Sequence, residues 1–229
     1  MKYLQFPLRS SKPVALVGGG RLKEADFSHA TRIAEFLVAA DGGAAAALAC
    51  GRVPDAVIGD LDSLEESDVS LIPSQRLFRV AEQETTDFCK CVTHVQAPLY
   101  IAVGFTGGRL DHELANFNVL ARFAAKSIIL VGESEICFAL RTSFEIDLPP
   151  KTLFSLFPFT DVSGTGRGLK WPFDRMKFSP AGRIGTSNEA IGGPVELEFS
   201  VPGMLAIMPR QLLDQVAEAI LDRNFAATD

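Results

Sequence analysis

The sequence lacks the long apolar run and the excess of basic residues that direct many proteins to membranes or to nucleic acid. No apolar stretch reaches the roughly 18 to 20 residues that a membrane-spanning helix needs. Lys and Arg number 22 against 28 Asp and Glu, a net charge of −6, which disfavours a surface that coats phosphate backbones. The first residues are too interrupted for a secretory signal. We therefore expect a cytoplasmic protein that binds neither nucleic acid nor a membrane.

Cysteine is also scarce, and its spacing excludes the common zinc-binding pattern. The chain has four scattered cysteines, and the one close pair, Cys89 and Cys91, is separated by a single residue, whereas zinc sites usually space their cysteines by two to four. Low-complexity tracts and internal repeats are missing as well. We expect reduced, mostly buried thiols with no metal or redox role.

The first two thirds of the sequence alternate short β-branched runs with longer segments of helical character. This alternation is typical of a parallel sheet whose strands are joined by crossover helices. The predicted strands are residues 14–17, 35–40, 56–58, 77–80, 99–103 and 128–131. The predicted helices are residues 26–34, 44–50, 87–94 and 111–125.

The pattern changes near Ser134, where helical periodicity gives way to short strand-like runs between glycine, proline and serine clusters. The predicted strands in this part are residues 135–140, 143–148, 152–157, 182–187, 195–199 and 204–208. We therefore predict an α/β fold, with a mostly parallel sheet and flanking helices in residues 1–133, followed by an all-β sandwich in residues 134–229.

Three acidic signatures end three consecutive stretches of the α/β part. Strand carboxyl ends face one crevice in an open parallel sheet, so Asp60, Asp62 and Asp87 could share one ion. Carboxylates without nearby His or Cys favour magnesium. The alternative is that each segment is only a turn, because Asp and Gly are common turn residues. The three signatures are Asp41-Gly42-Gly43, residues 59–63 and Glu84-Thr85-Thr86-Asp87.

A fourth signature, rich in glycine, lies between the fifth predicted strand and the next helix. Glycines let the backbone approach a ligand, and the free N–H groups of a helix N-terminus favour phosphate. Arg109 would add a forked donor for phosphate oxygens. Asp111 is open to two interpretations, a helix cap or a partner that orients Arg109. The segment reads Thr106-Gly107-Gly108-Arg109-Leu110-Asp111-His112.

A further glycine run, Gly18-Gly19-Gly20, follows the first predicted strand. It lacks the third glycine of the dinucleotide fingerprint, because Lys23 stands at that position, and no Gly-Lys-Ser/Thr follows it. A plain turn between strand and helix is the default interpretation.

Taken in order, the three acidic signatures and the glycine-rich fourth resemble those of the thiamin pyrophosphokinase family, which transfers a pyrophosphoryl group from ATP to thiamin. Two segments of the β-rich part are similar to the family's C-terminal motifs at the thiamin site, so the resemblance covers most of the chain. The family fold, an α/β domain followed by a β-sandwich, agrees with the change of pattern near residue 134. The two segments are Gly168-Leu169-Lys170-Trp171-Pro172 and Gly185-Thr186-Ser187-Asn188-Glu189.

The resemblance implies a role for each matching residue. It implies that magnesium is held by Asp60, Asp62 and Asp87, and that Arg109 and Asp111 join these three in catalysis. An indole face suits a cationic or flat ring, and the implied thiamin-binding residues are Trp171, Ser187 and Asn188. The implied ATP-binding residues are Asp41, Gly42, Gly43, Thr86, Gly107, Gly108 and Arg109. A homodimer with thiamin at the subunit interface is implied as well.

Two positions depart from the family pattern. Ala45 stands where the family usually has Asn, and Glu84 stands where it usually has Asp. The general base stays open between Asp87, Asp111 and no base at all. Two other functions also fit the residues: a magnesium-dependent phosphotransferase or pyrophosphohydrolase with another substrate, and a thiamin- or nucleotide-binding module without catalysis.

Overall fold

A computed structural model of the protein describes residues 2–3 and 8–226. The chain divides into two compact units, one formed by Met1–Val119 and Leu130–Glu133, the other by Leu120–Ile129 and Ser134–Asp229. Parallel strands and helices make up the first unit, and antiparallel strands dominate the second. The predicted fold class is therefore confirmed. Within the described ranges, no helix is long and apolar enough to cross a membrane.

The α/β part is built on parallel strands that pair in the order β1, β6, β5, β4, β3 and β8. Its strands are β1 Lys2–Tyr3, β2 Leu8–Arg9, β3 Val14–Val17, β4 Phe36–Ala40, β5 Ala56–Gly59, β6 Leu77–Arg79, β7 Val95–Gln96, β8 Tyr100–Val103 and β9 Ile128–Val131. Every residue of β3, β5 and β8 is buried. Both faces of this sheet are thus covered, which explains why these strands are continuously apolar instead of alternating.

Five helices belong to this part: α1 Glu24–Ile33, α2 Gly43–Ala49, α3 Glu66–Leu71, α4 Asp87–His94 and α5 Leu110–Arg122. Helix α1 contacts β3 and β8, α2 contacts β3 and β4, and α4 contacts β4 and β5. The four predicted helices are present, although α5 ends three residues earlier than predicted. The sequence analysis missed α3 because this helix buries no residue and so has no apolar stripe to detect.

The second unit contains two antiparallel arrays, β10-β17-β12-β15 and β11-β16-β13-β14. Its elements are β10 Glu135–Leu140, β11 Ser143–Leu148, β12 Leu153–Pro158, β13 Val162–Arg167, β14 Phe173–Phe178, β15 Gly185–Glu189, β16 Gly193–Phe199, β17 Met204–Pro209 and helix α6 Leu213–Ala226. Burial alternates along β11 and β16, and the rings of Phe138 and Phe144, one from each array, lie 5.4 Å apart. The arrays therefore pack face to face as a sandwich.

The sequence analysis did not predict β13, β14 or α6. Strand β13 contains Gly164 and Gly166, which lower its β propensity. Both glycines are required by packing, since a Cβ at Gly164 would lie 2.4 Å from the ring of Phe199, and one at Gly166 would lie 2.4 Å from the ring of Phe173. The aromatic rings of the sandwich core therefore leave room only for glycine at these two positions, and glycine carries none of the β propensity by which a strand is recognised in a sequence.

Candidate active site

The carboxyl ends of β4 and β5 bring three acidic side chains together in the first unit. Asp41 follows β4, while Asp60 and Asp62 follow β5. One carboxylate oxygen from each of the three lies within 4.8 Å of the other two. We call Asp41, Asp60 and Asp62 the acidic cluster. The cluster arises because neighbouring parallel strands end at the same edge of the sheet.

Asp41 is the buried member of the acidic cluster. Its side chain is 3% exposed, and among the described residues its Oδ1 atom is buried without a hydrogen-bond partner. Its backbone has a positive φ of 45°, and its amide donates to the carbonyl of Ile58 at 3.0 Å. A buried carboxylate oxygen without a partner is costly unless a cation or a donor satisfies it. Asp41 is therefore suited to a cation.

A left-handed turn orients the other two carboxylates. Leu61 has a φ of 67°, so Asp60 and Asp62 project from a tight turn and not from an extended strand. The side chain of Leu61 packs against the core cluster of Ala39 and Val57, which compensates the strain of its backbone. The amide of Asp62 donates to Asp60 Oδ1 at 3.3 Å. The two carboxylates are thus tied to one local turn.

Gln83, in the loop before α4, binds Asp60. Its Nε2 atom donates to Asp60 Oδ2 at 2.6 Å. Burial by itself would raise the pKa of Asp60, but the hydrogen bonds from Gln83 and Asp62 and the charge of Lys90 outweigh it and lower that pKa. The sequence analysis missed Gln83, because a residue 23 positions away from Asp60 is brought to it only by the fold.

Asp87 lies beside the acidic cluster but pairs with a lysine. It is the first residue of α4, whose N-cap Thr86 accepts the amide of Cys89 on its hydroxyl at 3.3 Å. Asp87 Oδ1 lies 3.0 Å from Lys90 Nζ. Burial raises the pKa of Asp87 and Lys90 opposes the rise, while the charges of Asp41 and Asp60 add to it. Of the predicted metal ligands, Asp60 and Asp62 thus lie in the acidic cluster together with Asp41, and Asp87 lies outside it. That Asp60, Asp62 and Asp87 hold the ion stays a prediction.

The loop before α4 is organised by Glu82. Its carboxylate accepts the amides of Glu84 at 2.8 Å and Thr85 at 3.0 Å, and also the Thr85 hydroxyl. These hydrogen bonds lower the pKa of Glu82. Glu84, which replaces the usual family Asp, is exposed and joins this network through its backbone. Glu82 therefore gives the loop its shape and presents Gln83 to Asp60.

A glycine-lined cleft of about 490 Å³ lies at the edge of the sheet that carries the acidic cluster, and Asp41 is part of its lining. Gly18-Gly19-Gly20 forms part of its wall, so this run is more than the plain turn that the sequence suggested. Glycines allow the backbone to approach a bound group closely. The cleft is lined by Gly18, Gly19, Gly20, Ala40, Asp41, Gly42, Ser63, Thr86, Asp87, Phe88, Gly104, Phe105, Thr106, Gly108, Arg109, His112 and Asn116.

Gly43 supports this wall from behind, and we expect Gly43→Ala to lower stability. A Cβ at Gly43 would lie 2.1 Å from the carbonyl oxygen of Val17, so α2 and β3 would have to move apart. The expected loss is about 1–3 kcal/mol in the free energy of unfolding, measured by urea denaturation. Gly108→Ala is the matched control, because a Cβ there meets no atom within 4 Å. Equal midpoints for the two variants would contradict the packing argument.

Arg109 and Asp111 form an exposed ion pair at the mouth of the cleft. Arg109 donates from Nε to Asp111 Oδ1 at 3.1 Å and from Nη2 to Oδ2 at 2.6 Å. The pair lowers the pKa of Asp111 and raises that of Arg109. Asp111 also accepts the amide of His112 at 3.0 Å, but it is the second residue of α5 and does not occupy the N-cap position. The geometry therefore supports the interpretation of Asp111 as the partner that orients Arg109. Two of the three guanidinium nitrogens of Arg109 are thus engaged by Asp111.

Arg21 is a second guanidinium near this loop that the sequence analysis did not select. Gly107 has a φ of 73°, and a Cβ there would lie 3.3 Å from Cδ of Arg21. The aliphatic stem of Arg21 thus runs alongside Gly107. No spacing rule in the sequence relates residue 21 to residue 107, so only the fold identifies the neighbour.

In the second unit, Asn188 fixes the backbone of Trp171. The buried Asn188 accepts the amide of Trp171 on Oδ1 at 3.1 Å and donates from Nδ2 to the Trp171 carbonyl at 2.9 Å. Trp171 is 54% exposed. Lys170 Nζ lies 4.6 Å from the centre of its ring and 3.3 Å from Glu189. The indole already attracts one cation, while Asn188 is committed to the protein backbone.

A pocket of about 210 Å³ adjoins Trp171. Ser187, which has a φ of 62°, is exposed and donates its amide to Ser155 Oγ at 2.9 Å. Trp171 and Asn188 line the pocket, whereas Ser187 is outside its lining. The walls are mainly apolar and aromatic, with one guanidinium: Leu156, Trp171, Pro172, Phe173, Met176, Phe178, Arg183, Ile184, Gly185, Thr186 and Asn188.

A parallel sheet with carboxylates and a glycine-lined cleft at its carboxyl edge defines the class of α/β proteins that bind phosphorylated ligands there. Two family models match the chain: "Thiamin pyrophosphokinase, catalytic domain" over residues 27–131, and "Thiamin pyrophosphokinase, vitamin B1 binding domain" over residues 142–203. The two matches together span most of the sequence. The chain belongs to the thiamin pyrophosphokinase family.

Individual relatives agree with this assignment. Thiamine pyrophosphokinase 1 of Oryza sativa subsp. japonica is 32% identical over 154 residues, covering 59% of this chain and 58% of the relative. Thiamine pyrophosphokinase 2 of Arabidopsis thaliana is 27% identical over 154 residues, with the same coverage. The chain thus spans less than two thirds of the length of these curated relatives.

Solved structures show the same fold. The thiamin pyrophosphokinase of Geobacillus thermodenitrificans has a TM-score of 0.70 at 25% identity, covering 86% of this chain and 96% of that protein. The enzyme of Candida albicans has a TM-score of 0.74 at 17% identity, covering 91% and 94%, a likeness that concerns the fold alone. The two-part architecture is therefore common to this chain and both structures.

Proposed function

We propose that this protein is a thiamin diphosphokinase, which transfers the pyrophosphoryl group of MgATP to the hydroxyl of thiamin and releases AMP. The observation that carries the proposal is the Oδ1 atom of Asp41, which is buried without a hydrogen-bond partner among the described residues and belongs to the acidic cluster. The cluster lies in the unit that matches the family's catalytic domain. A buried charge of this kind is retained at a cost in stability, which is typical of a site built for a ligand.

The donor set fits magnesium. Asp41, Asp60 and Asp62 offer hard oxygen ligands. Asp87 lies close enough for the charges of Asp41 and Asp60 to raise its pKa. Magnesium is usually held by a few carboxylates together with substrate phosphates, so these four residues would hold it. When bound, the ion neutralises phosphate charge and polarises the phosphoryl oxygens. We retain Asp60, Asp62 and Asp87 as ligands and add Asp41.

The remaining residues of the first unit would position the triphosphate. Gly42 and Gly108 line the cleft, so their backbone amides would approach phosphate oxygens, and Arg109 would bind another of these oxygens while Asp111 fixes its plane. Gly43 would contribute by shaping the wall behind the cleft. Thr86 would not bind the triphosphate directly. Its hydroxyl caps α4 and so sets the direction of Asp87. Gly107 supplies the left-handed backbone that turns the loop.

The transfer forms one P–O bond and breaks another. The thiamin hydroxyl oxygen attacks the β-phosphorus, the bond from that phosphorus to the α,β-bridging oxygen breaks, and AMP leaves with the bridging oxygen. The hydroxyl proton goes to solvent or to a carboxylate, and the choice between Asp87 and Asp111 stays a prediction. Positioning and charge neutralisation supply most of the rate in such transfers.

The thiamin-binding proposal rests on the second unit. Trp171 presents an indole that already holds a lysine cation at 4.6 Å, and a thiazolium is a cation as well. Asn188 would act by fixing Trp171, whereas Ser187 keeps an exposed side chain. The homodimer with thiamin at its interface and the cytoplasmic location stay predictions.

The proposal is tested by measuring AMP released from ATP, with and without thiamin. We expect AMP formation only when magnesium and thiamin are both present, and none with a thiamin analogue that lacks the hydroxyl oxygen. ATP cleavage that is independent of thiamin would favour the pyrophosphohydrolase alternative. Thiamin binding in a calorimeter without AMP formation at any magnesium concentration would favour the binding module.

A further inference from the structure

Lys90 is a buried cation at the edge of the acidic cluster that the proposed chemistry does not yet use. Its side chain is 3% exposed, and its Nζ atom lies 3.0 Å from Asp87 Oδ1. The two residues are three positions apart on α4, so they share one face of the helix. A lysine this deeply buried is rare unless it is paired, and its location next to the cleft calls for a functional explanation.

Three acidic groups act on this lysine. Its Nζ atom donates to Asp87 Oδ1 at 3.0 Å as an ion pair, and the charges of Asp60 and Glu82 act on it as well. Asp60 belongs to the acidic cluster, Glu82 shapes the loop before α4, and Asp87 begins that helix. The ammonium is thus a fixed positive charge that faces three separate segments of the site.

A fixed positive charge has opposite effects on the two forms in which magnesium can arrive. A free divalent cation is repelled by the ammonium, which offsets part of the attraction of the carboxylates. The complex of magnesium with ATP carries a net negative charge, so the same ammonium attracts it. The charge of Lys90 therefore discriminates between the free ion and the metal–nucleotide complex.

We propose that Lys90 is a positioning residue that holds Asp87 in place and acts as the internal counter-charge of the acidic cluster, so that the site disfavours free divalent cations and favours the metal–nucleotide complex. The inference rests on the proposed function. It assigns to Lys90 a role in selecting the form of the metal, which a purely structural ion pair would not have.

The test measures metal binding by calorimetry, on the full chain. Lys90→Met removes the charge and keeps an apolar stem, Lys90→Gln removes it and keeps a hydrogen bond to Asp87, and Lys90→Arg keeps it. In the absence of nucleotide, we expect both neutral variants to bind Mn²⁺ about tenfold more tightly than the wild type. Lys90→Arg should stay close to the wild type. A non-hydrolysable ATP analogue with magnesium should bind about tenfold more weakly to the neutral variants.

The outcomes separate the inference from the proposed function. Tighter Mn²⁺ binding together with weaker nucleotide binding, in whichever neutral variant folds, supports the counter-charge role. Unchanged or weaker Mn²⁺ binding in a folded neutral variant overturns it, because the removal of a repulsive charge should strengthen the binding of a free cation. If neither the wild type nor a folded neutral variant bound Mn²⁺, with or without the nucleotide analogue, the result would contradict the metal site of the proposed function, and the inference with it.

Discussion

Replacing Asp41 with Asn is expected to lower turnover by at least about 100-fold and, in the absence of metal, to raise the free energy of unfolding by about 1–2 kcal/mol. The two effects have one cause. The Oδ1 atom of Asp41 is buried without a partner among the described residues, so its charge destabilises the metal-free fold, while the same charge would bind the cation in the working enzyme. Asn keeps the shape and tolerates the positive φ of 45°.

The measurements are AMP release at saturating magnesium and urea unfolding in the presence of a chelator. Asp55→Asn is a matched control, because Asp55 accepts the amide of Leu37 at 2.9 Å and lies 3.5 Å from Arg76. Neutralising this paired carboxylate should reduce stability and leave turnover nearly unchanged. If Asp41→Asn were also destabilising, Asp41 would not be the uncompensated charge that its environment indicates.

The sequence predicted the acidic edge because topology alone determines it. Once residues 35–40 and 56–58 are assigned to neighbouring parallel strands, Asp41 and Asp60 must meet at their carboxyl ends. The resemblance assigned Asp41 to ATP and Asp87 to the metal. The spacing of these residues in the sequence does not show which of the two carboxylates lies closer to Asp60 and Asp62. Their placement depends on the buried position of Asp41 and on the ion pair between Asp87 and Lys90, which are properties of packing.

Contacts between segments that are far apart in the sequence could not be predicted. Gln83 reaches Asp60, Arg21 runs alongside Gly107, and Asn188 binds the backbone of Trp171. Each contact joins segments whose separation follows no periodic rule. The resemblance implies that Asn188 binds thiamin, which stays a prediction, and the hydrogen bonds show that this side chain also holds the backbone of Trp171.

Local propensity also failed where packing prevails over it. Strand β13 contains two glycines at positions where the rings of Phe173 and Phe199 leave no space for a side chain. Because the segment is rich in glycine, the sequence analysis did not recognise it as a strand. Leu61 and Asp41 adopt positive φ values that their residue types disfavour. Such departures concentrate at functional sites, and two of the five non-glycine residues with positive φ among the described residues, Asp41 and Leu61, lie in or next to the acidic cluster.

The second large effect is expected for Asp62→Ala, which should lower kcat by about 10²–10³-fold with little change in stability. Asp62 is exposed, and its side chain accepts a hydrogen bond from its neighbour Ser63 at 3.2 Å. Its removal therefore leaves no buried group unsatisfied, and the free energy of unfolding should stay within about 0.5 kcal/mol of the wild type. Asp62 thus separates catalysis from folding more cleanly than Asp41 does.

The matched control is Glu66→Ala. Glu66 is also an exposed carboxylate, four residues further along the chain and in the first turn of α3. General loss of negative charge near the cleft would affect the two variants alike, whereas loss of a ligand to the ion would affect Asp62→Ala alone. Because the remaining carboxylates Asp41 and Asp60 would still bind a cation weakly, part of the lost rate should return at high magnesium concentration. Full activity of the Asp62→Ala protein at low magnesium concentration would contradict the assignment of Asp62 as a ligand to the ion.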